Sequence, residues 1–308
     1  MILCICPNPS IDTYAWLENF AYGGVNRITR IKEYPGGKGV HVAHAVSELG
    51  GVAGIMSVWG GRTGEWIKEG CAKNNISVYG INVPGNNRKC YTFRSEGPDL
   101  QNSELLEPGP SLSPDNWKDF KKEFKKLLPR ARVVCMSGSW PKNAPDDAYQ
   151  LLIKVAAQKG VRTILDCSGV QLEEALKTGF FGLHINREEA EKLCGSSRLQ
   201  EVLKKLDNKV ELVALTKGKD GLELFYKGNI VRANVKIDKV VSTVGSGDCL
   251  TAGIAFAVEK NFPLEDIAAY GVACGAANCI TEDLGMLKKK DVERLLSLVQ
   301  IKQYSDGR

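Results

Sequence analysis

The 308-residue chain has no run near the roughly 20 apolar residues that a bilayer-spanning helix needs. A membrane span is therefore not expected. No Cys-x-x-Cys pair occurs, and the ten cysteines are scattered. Cys135, Cys167, Cys249 and Cys274 sit in apolar runs. Reduced, buried thiols in a cytoplasmic protein are expected, rather than disulfides or a zinc ribbon. Neither sign of charge dominates: 41 basic and 36 acidic residues are interspersed and leave a net charge of +5. That excess is weak ground for a nucleic-acid partner, and none is expected; an anionic small molecule suits it equally well. The chain also lacks internal repeats, low-complexity tracts and the Gly-x-x-x-x-Gly-Lys-Ser/Thr loop of many nucleotide-binding proteins.

What is present is the composition of an ordinary globular protein: 43% hydrophobic and 25% charged residues, enough to bury a full core. Met1-Ile-Leu-Cys-Ile-Cys6 carries no basic leader and is stopped by Pro7. It reads as a buried first strand rather than a signal peptide. Apolar runs at Ile2–Cys6, Ala53–Val58, Val133–Met136, Thr163–Leu165, Leu183–Ile185, Leu212–Leu215 and Leu222–Tyr226 read as strands. Helical patterns lie between them at Lys38–Leu49, Glu65–Lys73, Asp115–Leu127, Asp146–Lys159 and Leu199–Leu206. Continuous apolar strands alternating with amphipathic helices predict an α/β fold. Its mostly parallel sheet would be covered on both faces and would bind ligands at the carboxyl ends of the strands. Residues 12–35 and 86–107 break this rhythm with polar, turn-rich patterns such as Gly23-Gly24 and Gly97-Pro98. They read as a small accessory sheet inserted into a single domain spanning 1–308. The tail beyond Leu298 is polar and is expected to fray.

The most informative segment is Val240-Val-Ser-Thr-Val-Gly-Ser-Gly-Asp-Cys-Leu-Thr-Ala-Gly-Ile-Ala-Phe-Ala257. A β-branched run enters two glycines and then a helix whose Cys249, Ala252, Gly253, Phe256 and Ala257 recur on one face. The amides of a first helical turn have no intrahelical partner and, with the helix dipole, favour an anion. Asp248 stands beside them, where a carboxylate can take a proton from an attacking hydroxyl. Anion hole plus base is the equipment of phosphoryl transfer. The same residues also make an ordinary capped turn, since Asp at a helix start is a routine cap. Gly245-x-Gly247 lacks the third glycine of a dinucleotide fingerprint.

Thr243-Val-Gly-Ser-Gly-Asp248 resembles the C-terminal signature of PfkB-type carbohydrate kinases, of the ribokinase-like superfamily. Asn8-Pro-Ser-Ile-Asp12 resembles the opening of its hexose-phosphate branch, which includes 1-phosphofructokinase and tagatose-6-phosphate kinase. Gly24-Val-Asn-Arg27, Pro35-Gly-Gly-Lys-Gly39, Ser137-Gly-Ser-Trp-Pro141, Leu165-Asp-Cys-Ser-Gly169, Asn186-Arg-Glu-Glu189 and Thr216-Lys-Gly218 follow in family order over nearly the whole chain. The resemblance implies a three-layer α/β/α domain with a small β-sheet lid, the lid being residues 12–35 and 86–107. In the family the lid closes over the sugar and often forms a homodimer contact.

The resemblance also implies roles. Asp248 would be the general base, with the amides of Gly245, Ser246 and Gly247 holding the transferring phosphate. Asp12, Gly36, Gly37, Lys38, His41 and Ser139 would line the sugar site, and Arg27 and Arg88 would meet the sugar's phosphate by bidentate contacts. Asn186, Thr216, Gly218, Gly221, Gly275 and Asn278 would bind ATP. Glu189 would act through water on Mg²⁺. Asn186 and Glu189 have the spacing of a capping box as well. Four positions depart from the branch pattern: His41 and Cys90 stand where it carries Asn, His184 where it carries Lys, and Trp140 where Leu is common. The first two fall where sugar identity is read. The expected activity is ATP-dependent phosphorylation of a phosphorylated ketohexose, fructose 1-phosphate first, then fructose 6-phosphate or tagatose 6-phosphate. The alternatives are a kinase for a non-phosphorylated sugar or nucleoside, and a sugar- or nucleotide-binding protein without turnover.

Overall fold

The computed structural model describes residues 1–95 and 103–305. The first strand, β1 (Ile2–Cys6), leads into β2 (Ser10–Leu17) and β3 (Arg30–Gly36), then α1 (Lys38–Glu48), β4 (Ala53–Gly60), α2 (Gly61–Lys73) and β5 (Ser77–Val83). Next come β6 (Arg88–Ser95), β7 (Ser103–Leu106), α3 (Pro114–Leu127), β8 (Val133–Ser137), α4 (Ala148–Ala157), β9 (Arg162–Asp166) and α5 (Val170–Ala175). The chain continues through β10 (Phe180–Asn186), α6 (Arg187–Cys194), α7 (Leu199–Leu206), β11 (Val210–Thr216), β12 (Leu222–Tyr226) and β13 (Asn229–Asn234). It ends with α8 (Ser246–Glu259), α9 (Leu264–Cys279), α10 (Lys289–Leu296) and β14 (Gln300–Ser305).

The main sheet has ten strands in the order β14-β13-β12-β11-β10-β9-β8-β1-β4-β5. From β11 to β5 every pairing is parallel, and β12, β13 and β14 add an antiparallel edge. Alternation along each central strand feeds two cores. Cys4, Ile55 and Cys135 join α1, α8 and α9 on one face, while Ile5, Met56 and Met136 join Phe120, Phe124 and Leu152 on the other. Both faces are therefore covered, and the fold is α/β in three layers, as the apolar strand runs predict. The second sheet has four strands in the order β3-β2-β6-β7 and is drawn from the two irregular regions. The stretch 96–102, with the Gly97-Pro98 turn signal, lies outside the described residues.

Two expectations change. The tail does not fray through Ser305: β14 pairs with β13, from Asn234↔Gln300 to Asn229↔Ser305. Its polar side chains suit an edge strand, whose main-chain bonds do not depend on side-chain hydropathy. Helix α8 is not buried on one face alone. Leu250, Thr251, Ile254 and Ala255 are buried too, whereas Phe256 is only half-buried. The helix lies between α1 and α9. The approach of α9 is close: a Cβ at Gly253 would come within 2.4 Å of the Tyr270 carbonyl oxygen.

Candidate active site

After β1 the chain moves to β4 and β5 on one side, then returns to place β8 on the other. Connections diverge there, and the carboxyl ends of the strands open into a crevice. A cleft of about 1390 Å³ occupies it. Asn8 beyond β1, Ser139 beyond β8, Asp166 at the end of β9, Asn186 at the end of β10 and Thr216 at the end of β11 line it. The lid sheet forms its roof. Register sets Asp12, Cys90 and Leu106 side by side across β2, β6 and β7, and all three line the cleft. The volume exceeds the roughly 300–1,000 Å³ usual for one small ligand, so two substrates can fit together.

Gly245 caps α8 with φ 82, a left-handed conformation open to glycine. A side chain there would also come within 2.5 Å of the Gly285 Cα. The Ser246 N–H turns back to the Thr243 carbonyl at 3.2 Å, so it serves the turn. The amides of Gly247 and Asp248 have no backbone partner among the described residues and open the helix at the cleft. Asp248 is the third residue of α8; it is 7% exposed and lines the cleft.

On the lid side, Asp12 accepts from Ser10 Oγ at 2.6 Å and from the Gly37 amide at 3.3 Å. Gly36 permits this approach: a Cβ on it would lie 2.1 Å from the Asp12 Cγ. His41 is buried between two carboxylates. Its Nδ1 is 2.8 Å from Asp248 Oδ2, and its Nε2 is 3.0 Å from Asp12 Oδ2, off the line of an ideal hydrogen bond. Burial opposes charge on the ring, but the contacts with Asp12 and Asp248 win and hold its pKa up at about 10. Burial likewise opposes ionisation of Asp12, and His41 reverses it, leaving the carboxyl below its ordinary value.

A second charged group lies deeper. Lys38 Nζ donates to Asp166 Oδ1 at 2.7 Å, while His184 Nδ1 and Thr251 Oγ1 reach Asp166 Oδ2 at 3.0 and 3.2 Å. The Asp166 charge raises the Lys38 pKa well above the usual lysine value. Burial would raise that of Asp166, but Lys38 and His184 bring it far below the usual carboxylate range. Neither Asp166 nor Thr251 stood out in the sequence as a site residue. The signal for Asp166 was available: it is the first charged residue after an apolar strand run, where ligand-binding residues of parallel sheets gather. His184 Nε2 continues to Thr216 Oγ1 at 3.2 Å and so reaches the nucleotide side expected from the resemblance.

Asn186, Glu189, Thr216, Gly218, Gly221 and Gly275 all line the same cleft. Asn186 and Glu189 also form the capping box of α6, each side chain taking the other's backbone N–H at 2.9 Å. Glu189 Oε1 remains 4.0 Å from Lys38 Nζ. Ser139 and Arg88 line the cleft, and Arg88 Nε donates to the Asn8 carbonyl at 3.3 Å. Three expected site residues do not line the cleft, Gly36 among them, whose part is to let Asp12 approach. Arg27 is exposed and does not line the cleft. Nearby, Asn26 folds its own loop shut through bonds to Ala21 and Gly24. Asn278 is buried beneath the Gly245 turn, donating to the Met286 carbonyl at 2.8 Å, and it supports the loop before α10 rather than facing the cleft.

This arrangement sets partner-free amides at a helix start, with a buried carboxylate beside them and a roof over both. The profile of the pfkB family of carbohydrate kinases matches residues 6–286. The 1-phosphofructokinase of Bacillus subtilis (strain 168) is 30% identical over 307 residues, covering 98% of this chain and 99% of that protein. The crystal structure of phosphofructokinase-2 from Escherichia coli in complex with potassium superimposes with a TM-score of 0.88 at 25% identity, over 96% of this chain and 98% of that one. Arabidopsis thaliana ribokinase, complexed with ribose and ATP, shares the fold at a TM-score of 0.77 and 21% identity, over 96% of this chain and 98% of its own. The chain belongs to the pfkB family of carbohydrate kinases.

Proposed function

We propose that the chain transfers the γ-phosphoryl group of ATP to a hydroxyl of a phosphorylated ketohexose, with fructose 1-phosphate as the first candidate and the 1,6-bisphosphate as product. Fructose 6-phosphate and tagatose 6-phosphate rank behind it. One observation carries the reading: Asp248 lies buried at the start of α8, beside amides with no partner among the described residues, within a covered cleft. The sugar hydroxyl loses its proton to Asp248 as its oxygen bonds to the γ-phosphorus. The bond from that phosphorus to the β–γ bridging oxygen breaks, and ADP leaves with the electron pair. The amides of Gly247 and Asp248 meet the negative oxygens of the moving group. The lid excludes water, which would compete as acceptor.

Arg88 on the lid side is the cation that favours a phosphorylated sugar, with Lys38, which is paired with Asp166, at the start of α1 below it. Among the described residues no group of three or more His, Cys, Asp or Glu has the geometry of a metal cage. A magnesium ion would arrive on the nucleotide's phosphates, and Glu189, which lines the cleft, would act on it through water. When bound, the ion offsets phosphate charge.

A homodimer through the lid is part of the same reading. The face of the lid turned from the cleft exposes Ile31 at 53% and Leu105 at 62%, the kind of apolar surface a second copy would cover. A cytoplasmic location follows from the free cysteines. No helix among the described residues is long and apolar enough to cross a membrane.

The test is ADP release with ATP, Mg²⁺ and a panel of sugars and sugar phosphates, repeated with Arg88→Ala. Turnover of fructose 1-phosphate with a KM raised at least about tenfold in the variant supports the reading. Turnover of unphosphorylated sugars that ignores the variant replaces the substrate class. A panel with no turnover removes the assignment.

A further inference from the structure

His41 bridges the two acidic groups on which the lid side of the cleft depends. Asp12 stands on β2 in the lid, and Asp248 opens α8 in the main domain. The imidazole joins them from α1, with Nδ1 2.8 Å from Asp248 Oδ2 and Nε2 3.0 Å from Asp12 Oδ2. A neutral ring has one N–H and one lone pair. It could satisfy only one of these carboxylates and would turn its lone pair on the other. The Nδ1 contact has hydrogen-bond geometry, while the Nε2 contact is an off-line charge contact; a bare lone pair held 3.0 Å from Asp12 Oδ2 would repel it, and N–H on both nitrogens, the imidazolium, removes that repulsion. The ring cannot easily swing clear. It is 4% exposed, and a Cβ on Gly285 would come within 2.2 Å of it, so backbone closes that side. The other titratable group facing it is His44, on its own helix, which is held neutral by burial and by the charge of His41, its pKa lowered to about 4.

We propose that His41 is a positioning residue that fastens Asp12 and Asp248 into one unit and leaves Asp248 Oδ1 as the oxygen that receives the acceptor's proton. The proposal rests on Asp248 being the base, as above. Among the described residues His41 is the one hydrogen-bond partner of the Asp248 carboxylate, and it takes Oδ2. The other oxygen is left to the incoming hydroxyl. Asp12 already accepts from Ser10 and Gly37, and His41 lies against its Oδ2, so about one or two of its roughly four lone-pair sites remain for the sugar. A sugar hydroxyl bound there is tied through one imidazolium to the group that deprotonates its neighbour. Selection of the sugar and orientation of the base are thus linked mechanically. His41 keeps both protons throughout the transfer.

Two measurements test this. The first needs no substrate. The chain has three histidines, so ring-nitrogen NMR of the whole protein can resolve each. At about pH 8 the His41 ring is expected to show two protonated nitrogens while that of His44 shows one. A His41 ring that titrates near the ordinary imidazole value overturns the proposal, whatever the enzyme's substrate. The second uses His41→Asn with the acceptor found by the ADP-release screen. The amide keeps one donor but no charge. The expected result is a kcat lower by about tenfold or more, with the KM for ATP within about threefold. The acid limb of the kcat profile should move to higher pH, because the cation between two carboxylates is gone. A profile that overlays the wild type overturns the proposal even if kcat falls, since a packing defect would slow the enzyme without displacing its pH dependence. If His41→Asn does not fold, the NMR result alone decides. Failure of Asp248→Asn to lower kcat would instead remove the base on which the proposal rests.

Discussion

At the lid end of the cleft, the Asp12, His41 and Asp248 side chains form a continuous line, exposed by only 13%, 5% and 9%. At the other end the lining includes Thr216, Gly218, Gly221 and Gly275, small groups that offer backbone and space beside longer side chains such as Lys219 and Lys236. The contrast follows from what each end must do. Groups that act while bonds change are effective when they are already oriented and dry, so no reorganisation is needed at the moment of reaction. On the proposed reading the glycine end takes the purine, which needs a slot of the right shape, and glycines leave one. Substitutions at the lid end should therefore act on kcat, and substitutions at the glycine end on the KM for ATP.

Asp248→Asn is expected to have the largest effect. The amide fits the same space but cannot take a proton from the acceptor, and kcat should fall by at least about 10²-fold. The KM for ATP should stay near that of the wild type. Steady-state kinetics of purified variant and parent check both numbers. A variant with near-normal kcat would place the base elsewhere and erase the contrast between the two ends.

Much of this was legible in the chain itself, and the reasons are physical. Central strands buried on both faces must be apolar throughout, so Ile2–Cys6 and Val133–Ser137 stand out. Edge strands carry no such demand, which is why Ser77–Val83 and Gln300–Ser305 did not. The Gly245–Asp248 turn was readable because a single short segment carries it. The Lys38–Asp166–His184 group was not, because Lys38 and Asp166 are 128 residues apart and each alone is an ordinary charged residue. His41 was flagged as a departure from a pattern, but its role is set by two carboxylates that only the fold brings to its two nitrogens. Arg27 shows the reverse: its residue type matches, but the path of its loop leaves it exposed and outside the cleft of its own chain.

The pH dependence of stability sharpens the comparison within a single helix. His41 and His44 are both buried and lie about one turn apart on α1. The His41 pKa is raised to about 10, so its contribution is complete below the unfolded value near 6.5 and is lost as pH rises through 10. The His44 pKa is lowered to about 4, so its contribution is present above about 6.5 and is lost as pH falls through 4. Thermal unfolding of the substrate-free protein should peak near neutral pH and decline on both sides, by about 5 °C or more at the extremes. His41→Asn should flatten the alkaline decline and also lessen the acid one, because His41 holds the pKa values of Asp12 and His44 down, whereas His44→Gln should lessen the acid decline alone. Identical profiles for both variants would show that the two rings do not carry opposite charge states.

Gly275→Ala should have the smallest effect, and it tests the other end of the cleft. Gly275 is buried in α9 where that helix borders the cleft. An added Cβ would sit 3.2 Å from the Ser246 carbonyl oxygen and 3.4 Å from Leu250 Cβ, so its neighbours must give by a few tenths of an ångström. The methyl group narrows the slot without touching Asp248, Asp12 or His41. Alanine also favours the helix over glycine by roughly 0.5–1 kcal/mol, which offsets part of the crowding. The KM for ATP should rise about threefold, equivalent to less than about 1 kcal/mol of binding, while kcat and the KM for the sugar stay within about twofold. If kcat falls instead and the KM for ATP does not move, the Ser246 turn has shifted with α9. The two ends would then be one mechanical unit joined through the start of α8.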